Sequence, residues 1–368
     1  MQIKVAREQM MPSLMKVSGV VEKRQTLPIL GNLLVSADEE GITVTGTDLE
    51  VEVASRCFAS VYQSGEITVP ARKFIDIFRT LPEGSEIEVR VENERVMLRA
   101  GRSRFVLSTL AAKGFPLMDV AASDQRLEFP QRILKGLLER TAFAMANQDV
   151  RYYLNGLLMA VRQGRILTVA TDGHRLAKVE ANFEVDTVAA EAELIVPRKT
   201  VMELGRLLGA VEDPCQMEFS DRALRVAAGD TVLTSKLIDG RYPDYEKVIP
   251  RGAQKRAVVD KELLRQALTR TSILSNEKYK GVSLSFGANE LRCLAHNPEL
   301  EEAEEQLAVD YAEEKTVIGF NVAYLLDVLS ALDTSEIEIS FTDSNSSAVL
   351  RRPGGGEEEA YVVMPMRL

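Results

Sequence analysis

Residues 196–208 read VPRKTVMELGRLL, and the chain carries the same pattern twice more, VPARKFIDIFRTL at residues 69–81 and FNVAYLLDVLSAL at residues 320–332. All three stretches have thirteen residues, and they start 127 and 124 positions apart. Each predicts one helix. Apolar residues recur at helical spacing: Phe74, Ile77, Phe78 and Leu81 in the first copy, Val201, Leu204 and Leu208 in the second, Leu325, Val328, Leu329 and Leu332 in the third. Pro70 and Pro197 stand where a helix tolerates proline, at its first position, whose amide hydrogen has no intrahelical partner. One amphipathic helix says nothing about function. Three at a near-constant period say that the chain is built by repetition.

The flanking sequence repeats too. Ahead of each copy lies another helical pattern, over residues 5–17, 129–141 and 259–271. Pro12 requires the first of these to start late or to kink. Between and after the helices, stretches such as residues 28–34 and 41–53, 152–161 and 166–171, and 282–286 and 291–295 largely alternate apolar and polar residues, as antiparallel strands with one buried face do. Thr47 and Asp48 are echoed by Thr171 and Asp172, and Phe115-Pro116 by Tyr242-Pro243. Residues 22–26 read as a loop, and RRPGGGEEE at residues 351–359 as an exposed excursion. An amphipathic helix buries its stripe against the apolar face of a sheet, so the fold class is α+β: three repeats of two helices on antiparallel strands, with domains expected at residues 1–120, 127–246 and 247–368. No flexible Gly/Ser linker separates them.

Length and composition, 368 residues with 45% hydrophobic and 27% charged, belong to an ordinary globular protein with material for two or three cores. No apolar run approaches the ~20 residues that span a bilayer, and the charged start MQIKVAREQM does not read as a secretory signal, so the expectation is a cytoplasmic protein with no membrane partner. Cys57, Cys215 and Cys293 fall one to a repeat without a CxxC or metal-ligand spacing; they read as buried free thiols, and no metal or cofactor is expected.

The net charge of −10 argues against a nucleic-acid partner until the charges are placed. The six helical stretches, in chain order, carry net +1, +2, +2, +2, +1 and −1, which leaves −17 on the rest of the chain. Lys and Arg are good helix formers that populate solvated faces, but Glu is an equally good former and is not placed there. The second reading is a basic helical surface that holds a phosphate backbone without reading bases, inside an acidic exterior. Charge also divides between the ends. Arg95, Arg99, Arg102 and Arg104 surround Phe105, whereas Glu299, Glu301, Glu302, Glu304 and Glu305 form a run in the same repeat as Ile273 and Leu274. Either run can be a solvated face; together they suit a head-to-tail contact between two copies, which closes into a ring if the rotation permits.

A catalytic reading centres on TDGHR, where Asp172, His174 and Arg175 could form an acid-base or phosphoryl-transfer site. No nucleophile motif, P-loop or GxGxxG accompanies it, and Thr47-Asp48 holds the equivalent place without His or Arg, as a structural turn does. A non-catalytic binding turn is the expectation. An acidic scaffold that binds proteins without encircling DNA is the alternative; it accounts for the tail MPMRL, whose flexible apolar side chains suit a promiscuous surface, but not for the basic helices.

In order along the chain stand TLPILGNLL (26–34), TGTDLE (45–50), VPARKF (69–74), GRSRF (101–105), QDVRYYLNG (148–156), ATDGHRLA (170–177), ILSNEK (273–278) and YVVMPMRL (361–368). With these motifs the chain resembles, from end to end, the β subunit of bacterial DNA polymerase III, the sliding clamp. The resemblance implies three DNA-clamp domains per chain and a head-to-tail homodimeric ring around duplex DNA. It implies that the ring tethers the polymerase III alpha subunit, the clamp loader, other DNA polymerases and repair proteins through short linear peptides. The peptide pocket would map to Leu154, Thr171, Gly173, His174, Arg175, Leu176, Pro243, Lys247, Tyr279, Ser347, Val362, Val363, Met364, Pro365, Met366, Arg367 and Leu368. Lys247 and Tyr279 stand where Arg and Phe are expected, which bears on partner preference. DNA contacts would map to Arg24, Arg72, Lys73, Gln148, Tyr152, Tyr153, Arg198 and Lys199. The dimer interface would use Arg95, Arg102, Arg104 and Phe105 on one side and Ile273, Leu274, Glu299, Glu301, Glu302 and Glu305 on the other.

Overall fold

All three copies of the thirteen-residue pattern are helical in the computed structural model, which describes residues 1–21, 27–119, 125–183 and 191–367. The α-helices in chain order are α1 (Arg7–Ser18), α2 (Ala71–Thr80), α3 (Gln131–Thr141), α4 (Arg198–Leu207), α5 (Lys261–Thr271) and α6 (Val322–Ala331). Pro70 and Pro197 end the preceding strands, one position earlier than expected; Pro70 is the N-cap of α2, with φ −58° and ψ 110°. Pro12 lies inside α1, where it removes one intrahelical donor. In α2 the buried stripe is Ala71, Phe74, Ile75 and Phe78, spaced i, i+3, i+4, i+7, so Ile75 takes the place expected for Ile77. The Phe74 and Phe78 rings meet at 5.0 Å between centroids, and each ring contributes roughly 1.5–3 kcal/mol by leaving water.

Residues 28–34 divide. Pro28–Gly31 is a 3-10 turn, because Pro28 lacks a ladder donor and holds Leu27 extended, and the strand begins only at Asn32. The run of glutamates is also more ordered than a solvated loop. Glu302–Ala308 is a strand in which Glu302, Glu304 and Gln306 point outward while Ala303, Glu305 and Leu307 are half-buried. Residues 22–26, the expected loop, lie outside the described residues.

The described residues gather into two compact units, one from within 1–135 and 202–237, the other from within 136–183, 191–201 and 238–367. Each unit holds an eight-stranded antiparallel sheet that runs through a boundary between repeats. In the first, Thr231–Lys236 of the second repeat pairs with Val51–Cys57 of the first, Thr231 opposite Ser55 and Ser235 opposite Val51. In the second, Glu359–Val363 of the third repeat pairs with Arg175–Asn182 of the second, Val363 opposite Arg175. A shared ladder replaces a linker at both seams. The first unit also has a five-stranded sheet that ends on Ser103–Ser108, and the second a four-stranded sheet that ends on Glu302–Ala308.

Repetition reaches individual hydrogen bonds. The first amide of the first helix in each repeat donates 2.9 Å to the carbonyl just after the second helix: Arg7 to Ser85, Gln131 to Asp213, Lys261 to Ser335. Basic side chains close the same helix ends, Arg7 on Phe78 and Arg79, Lys135 on Gly205 and Leu208, Lys261 on Leu332. These cations neutralise the negative end of the helix dipole and satisfy carbonyls that have no intrahelical donor. Arg206 does the same for α1, donating to Met15 O at 2.7 Å and Lys16 O at 2.6 Å while paired with Glu203. The helical excess of positive charge is thus partly a capping device. Arg206, expected on a basic lining, is committed inside the first unit.

Candidate functional site

The turn TDGHR and the tail form one site in the second unit. Thr171 Oγ1 donates to Arg175 O at 2.6 Å and accepts from Gly173 N, and Asp172 Oδ1 accepts from His174 N and Arg175 N at 2.9 and 3.0 Å. The first unit builds the same turn at Thr47: Thr47 Oγ1 bonds Val51 O and Leu49 N, and Asp48 Oδ1 accepts from Glu50 N and Val51 N. Asp172 is therefore a turn-former whose second oxygen holds Arg175 Nε at 3.1 Å, so both of its oxygens serve the turn itself. The third residue of the turn is left-handed in both, Gly173 at φ +89° and Leu49 at φ +78°. Gly173→Ala is expected to lower the thermal midpoint, at a cost of about 1–2 kcal/mol, whereas Leu49→Gly relieves strain and holds or raises it. Differential scanning calorimetry of the two variants checks the pair.

Arg175 is the hub of the site. Its side chain is 12% exposed, it pairs with Asp172 and with Asp327 of α6, and it donates to Phe143 O at 2.7 Å. Its guanidinium lies over the rings of Tyr324 (4.4 Å) and Phe143 (5.3 Å). Tyr324, Asp327 and Phe143 were not anticipated. A signal was present: the eighth position of the thirteen-residue pattern is acidic in all three copies, Asp76, Glu203 and Asp327, and each bonds an arginine: Arg79, Arg206 and Arg175.

Beneath the turn, Leu154, Leu176 and Val362 are buried in one apolar cluster with Leu158, Val169, Ile195, Tyr242 and Val349, and Tyr153, Ile238, Tyr245, Val248 and Ile249 pack on it. Burial raises the Tyr242 phenol, whose oxygen accepts from Thr171 N at 3.1 Å. Tyr242 occupies the place that Phe115 holds in the first repeat, and its hydroxyl ties the core to the turn. Val363 is buried beside Val362. Past them the tail is held by two backbone bonds, Met364 N to His174 O at 2.9 Å and Met366 N to Gly319 O at 2.8 Å. Met364, Pro365 and Met366 are half-buried and Arg367 is exposed, while Leu368 lies outside the described residues. Tyr279, 55% exposed, lines a shallow groove with Leu294, His296, Met366 and Arg367. Pro243 is exposed next to Tyr242, Ser347 is half-buried, and Lys247 is exposed and paired with Asp244 at 2.8 Å.

The residues expected to meet DNA are of three kinds. Arg72 and Lys73 are exposed on the first turn of α2, with Arg72 only 4.0 Å from Asp76. Gln148 and Tyr152 are exposed on the loop around Asp149, whose carboxyl Arg151 holds down to about 2. Tyr153, Arg198 and Lys199 are half-buried; Tyr153 packs on the apolar cluster, and Arg198 donates to Met145 O at 3.2 Å. Arg24 lies outside the described residues.

Of the residues expected at a dimer interface, Arg95, Arg102 and Arg104 are exposed and Phe105 half-buried, at or beside the edge strand Ser103–Ser108. Ile273 is 75% exposed and Leu274 half-buried in a 3-10 turn after α5. Glu299, Glu301 and Glu302 are exposed, whereas Glu305 is paired with Arg270 at 2.6 Å. The cysteines are free thiols, with Cys215 and Cys293 buried and Cys57 half-buried; burial pushes them up to about 12, about 12 and about 11.

Comparison with known proteins fits this geometry. Three family descriptions match in sequence: the DNA polymerase III beta subunit N-terminal domain at residues 1–119, its central domain at 128–244 and its C-terminal domain at 246–367. The beta sliding clamps of Pseudomonas putida and Escherichia coli are 46% and 47% identical to the chain, each over the full length of both. The crystal structure of the DNA polymerase III subunit beta from Pseudomonas aeruginosa superposes with a TM-score of 0.95 at 45% identity, and that of Caulobacter crescentus with 0.93 at 36%, both covering all of both chains. The chain belongs to the DNA polymerase III beta subunit family, the beta sliding clamps, and is a non-catalytic processivity factor of that polymerase.

Proposed function

We propose that two copies close head to tail into a ring around duplex DNA, through the free edges Ser103–Ser108 and Glu302–Ala308. One observation carries this. Both internal seams pair the last strand of one repeat with the fourth strand of the repeat before it. The last strand of the first repeat and the fourth strand of the third repeat are the two members of that series that keep one edge unpaired among the described residues. In both internal seams the pairing starts four residues after the turn threonine, at Val51 and at Arg175. Carrying that register onto the free edges, through the strand pairings that the repeats share, sets Arg104 of one chain opposite Glu304 of the other. Opposite charges at directly facing positions favour such a ladder. Each chain then contributes three domains, at residues 1–120, 127–246 and 247–368.

Arg72 and Lys73, with Arg24, Gln148, Tyr152, Tyr153, Arg198 and Lys199, contact the phosphate backbone without base readout, so salt weakens the encounter while topology keeps the ring on DNA. The turn at residues 171–176, the apolar cluster and the tail at residues 362–368 take short linear peptides from the polymerase alpha subunit, the clamp loader and repair proteins in the bacterial cytoplasm. The experiment uses loaded clamp on nicked circular DNA. Once loaded, it is expected to remain at 1 M salt on the circle and to leave within minutes of linearisation, as read by gel filtration. Equal loss from circle and line defeats encirclement.

A further inference from the structure

We propose that the second unit carries an anion site beside the peptide pocket, formed by Arg351, Lys178 and Arg251, which takes a carboxylate from an acidic stretch of a docked partner peptide. The site follows from register. Leu176, Val362 and Val349 lie side by side on three adjacent strands and belong to the apolar cluster. Two residues along each strand, on the same sheet face, stand Lys178, Ala360 and Arg351. The apolar row is thus followed, ~7 Å further on, by a basic row. Arg251, from the segment that continues Ile249 and Pro250 over this face, completes a polar groove.

Arg351 is the informative member. Its residue is half-buried, and its Nε is the one buried side-chain nitrogen or oxygen among the described residues without a hydrogen-bond partner. None of the described residues forms a salt bridge with its guanidinium. Its cross-strand neighbour Glu338 is already committed to Arg256 and Ser340, at 2.6 and 3.0 Å; a buried donor without an acceptor is costly, and the planar fork matches a carboxylate. The other charges of the groove are engaged. Lys178 Nζ donates to Glu357 O at 3.0 Å, and Arg251 pairs with Glu246 at 3.1 Å. The groove holds three cations against Glu246 and Glu357, so Glu357 is the internal rival for Arg351. The site rests on the pocket reading only for the origin of the carboxylate.

The test uses full-length dimer labelled with 15N-arginine and two probes, end-blocked tetraglutamate and inorganic phosphate. One Nε–Hε resonance, absent in Arg351→Gln, is expected to shift saturably with tetraglutamate, about tenfold more tightly than with phosphate. Exposed Arg222 serves as the reference and is expected not to respond. Glu357→Gln is expected to tighten tetraglutamate binding about two- to threefold by removing the rival. No shift at Arg351, or a shift matched at Arg222, overturns the site; phosphate bound as tightly as tetraglutamate overturns its assignment to acidic peptides. Deleting residues 364–368 should leave this titration unchanged while removing pocket binding, so the two readings fail separately.

Discussion

A chain carrying Ile273→Lys with Leu274→Lys is expected to sediment as a 40.7 kDa monomer where the parent sediments at twice that mass. Ile273 is 75% exposed in the isolated chain, and its turn packs on the strands Glu290–His296 and Glu302–Ala308. Burying an apolar side chain of this size contributes roughly 1.5–3 kcal/mol. A head-to-tail pair contains two identical seams, so two residues in each remove on the order of 6–12 kcal/mol, or on the order of 10⁴-fold and more in the dissociation constant. Lysines add the cost of burying unpaired charge. The far-ultraviolet circular dichroism and thermal midpoint of the α5 region should change little, since neither side chain belongs to the buried core. A variant that keeps the parent's sedimentation coefficient would show that the seam lies elsewhere.

Deletion of residues 364–368 should abolish binding of a peptide from the polymerase alpha subunit without dissociating the dimer. Met364 and Met366 are anchored by the backbone bonds to His174 and Gly319, so their side chains stand over the turn rather than trailing in water. Thioethers of this kind adapt to several partners. Loss of two such contacts, roughly 1.5–3 kcal/mol each, weakens binding on the order of 100-fold or more. Fluorescence anisotropy of a labelled peptide measures it, with sedimentation as the control for assembly. Retained peptide affinity would falsify the assignment of the tail to the pocket.

Repetition, helix positions and fold class were legible because helical periodicity and the turn residues are local. The chain resisted reading where the deciding partner is distant in sequence. Glu302–Ala308 was concealed by the charged run that leads into it: five glutamates among residues 299–305 look solvated, although alternate positions of the strand are half-buried on the sheet. Basic residues on helices signalled a polyanion, yet Arg7, Lys135, Arg206 and Lys261 find helix-end carbonyls up to 191 residues away. Reach of that kind leaves no spacing to detect. At the candidate site, the turn and tail were found, while Tyr324 and Asp327 were not, because only packing of α6 brings them to Arg175.

The shared sheets have a mechanical consequence. In a two-chain ring built as proposed, six seams of one design act as links in series and carry the same tension. Four are internal, with ladders that run through continuous covalent chain. The remaining two join separate chains, by non-covalent contacts only, so any prying force is released there first. The place where such a ring yields is therefore decided by where the polypeptide is interrupted, and no specialised hinge has to be encoded.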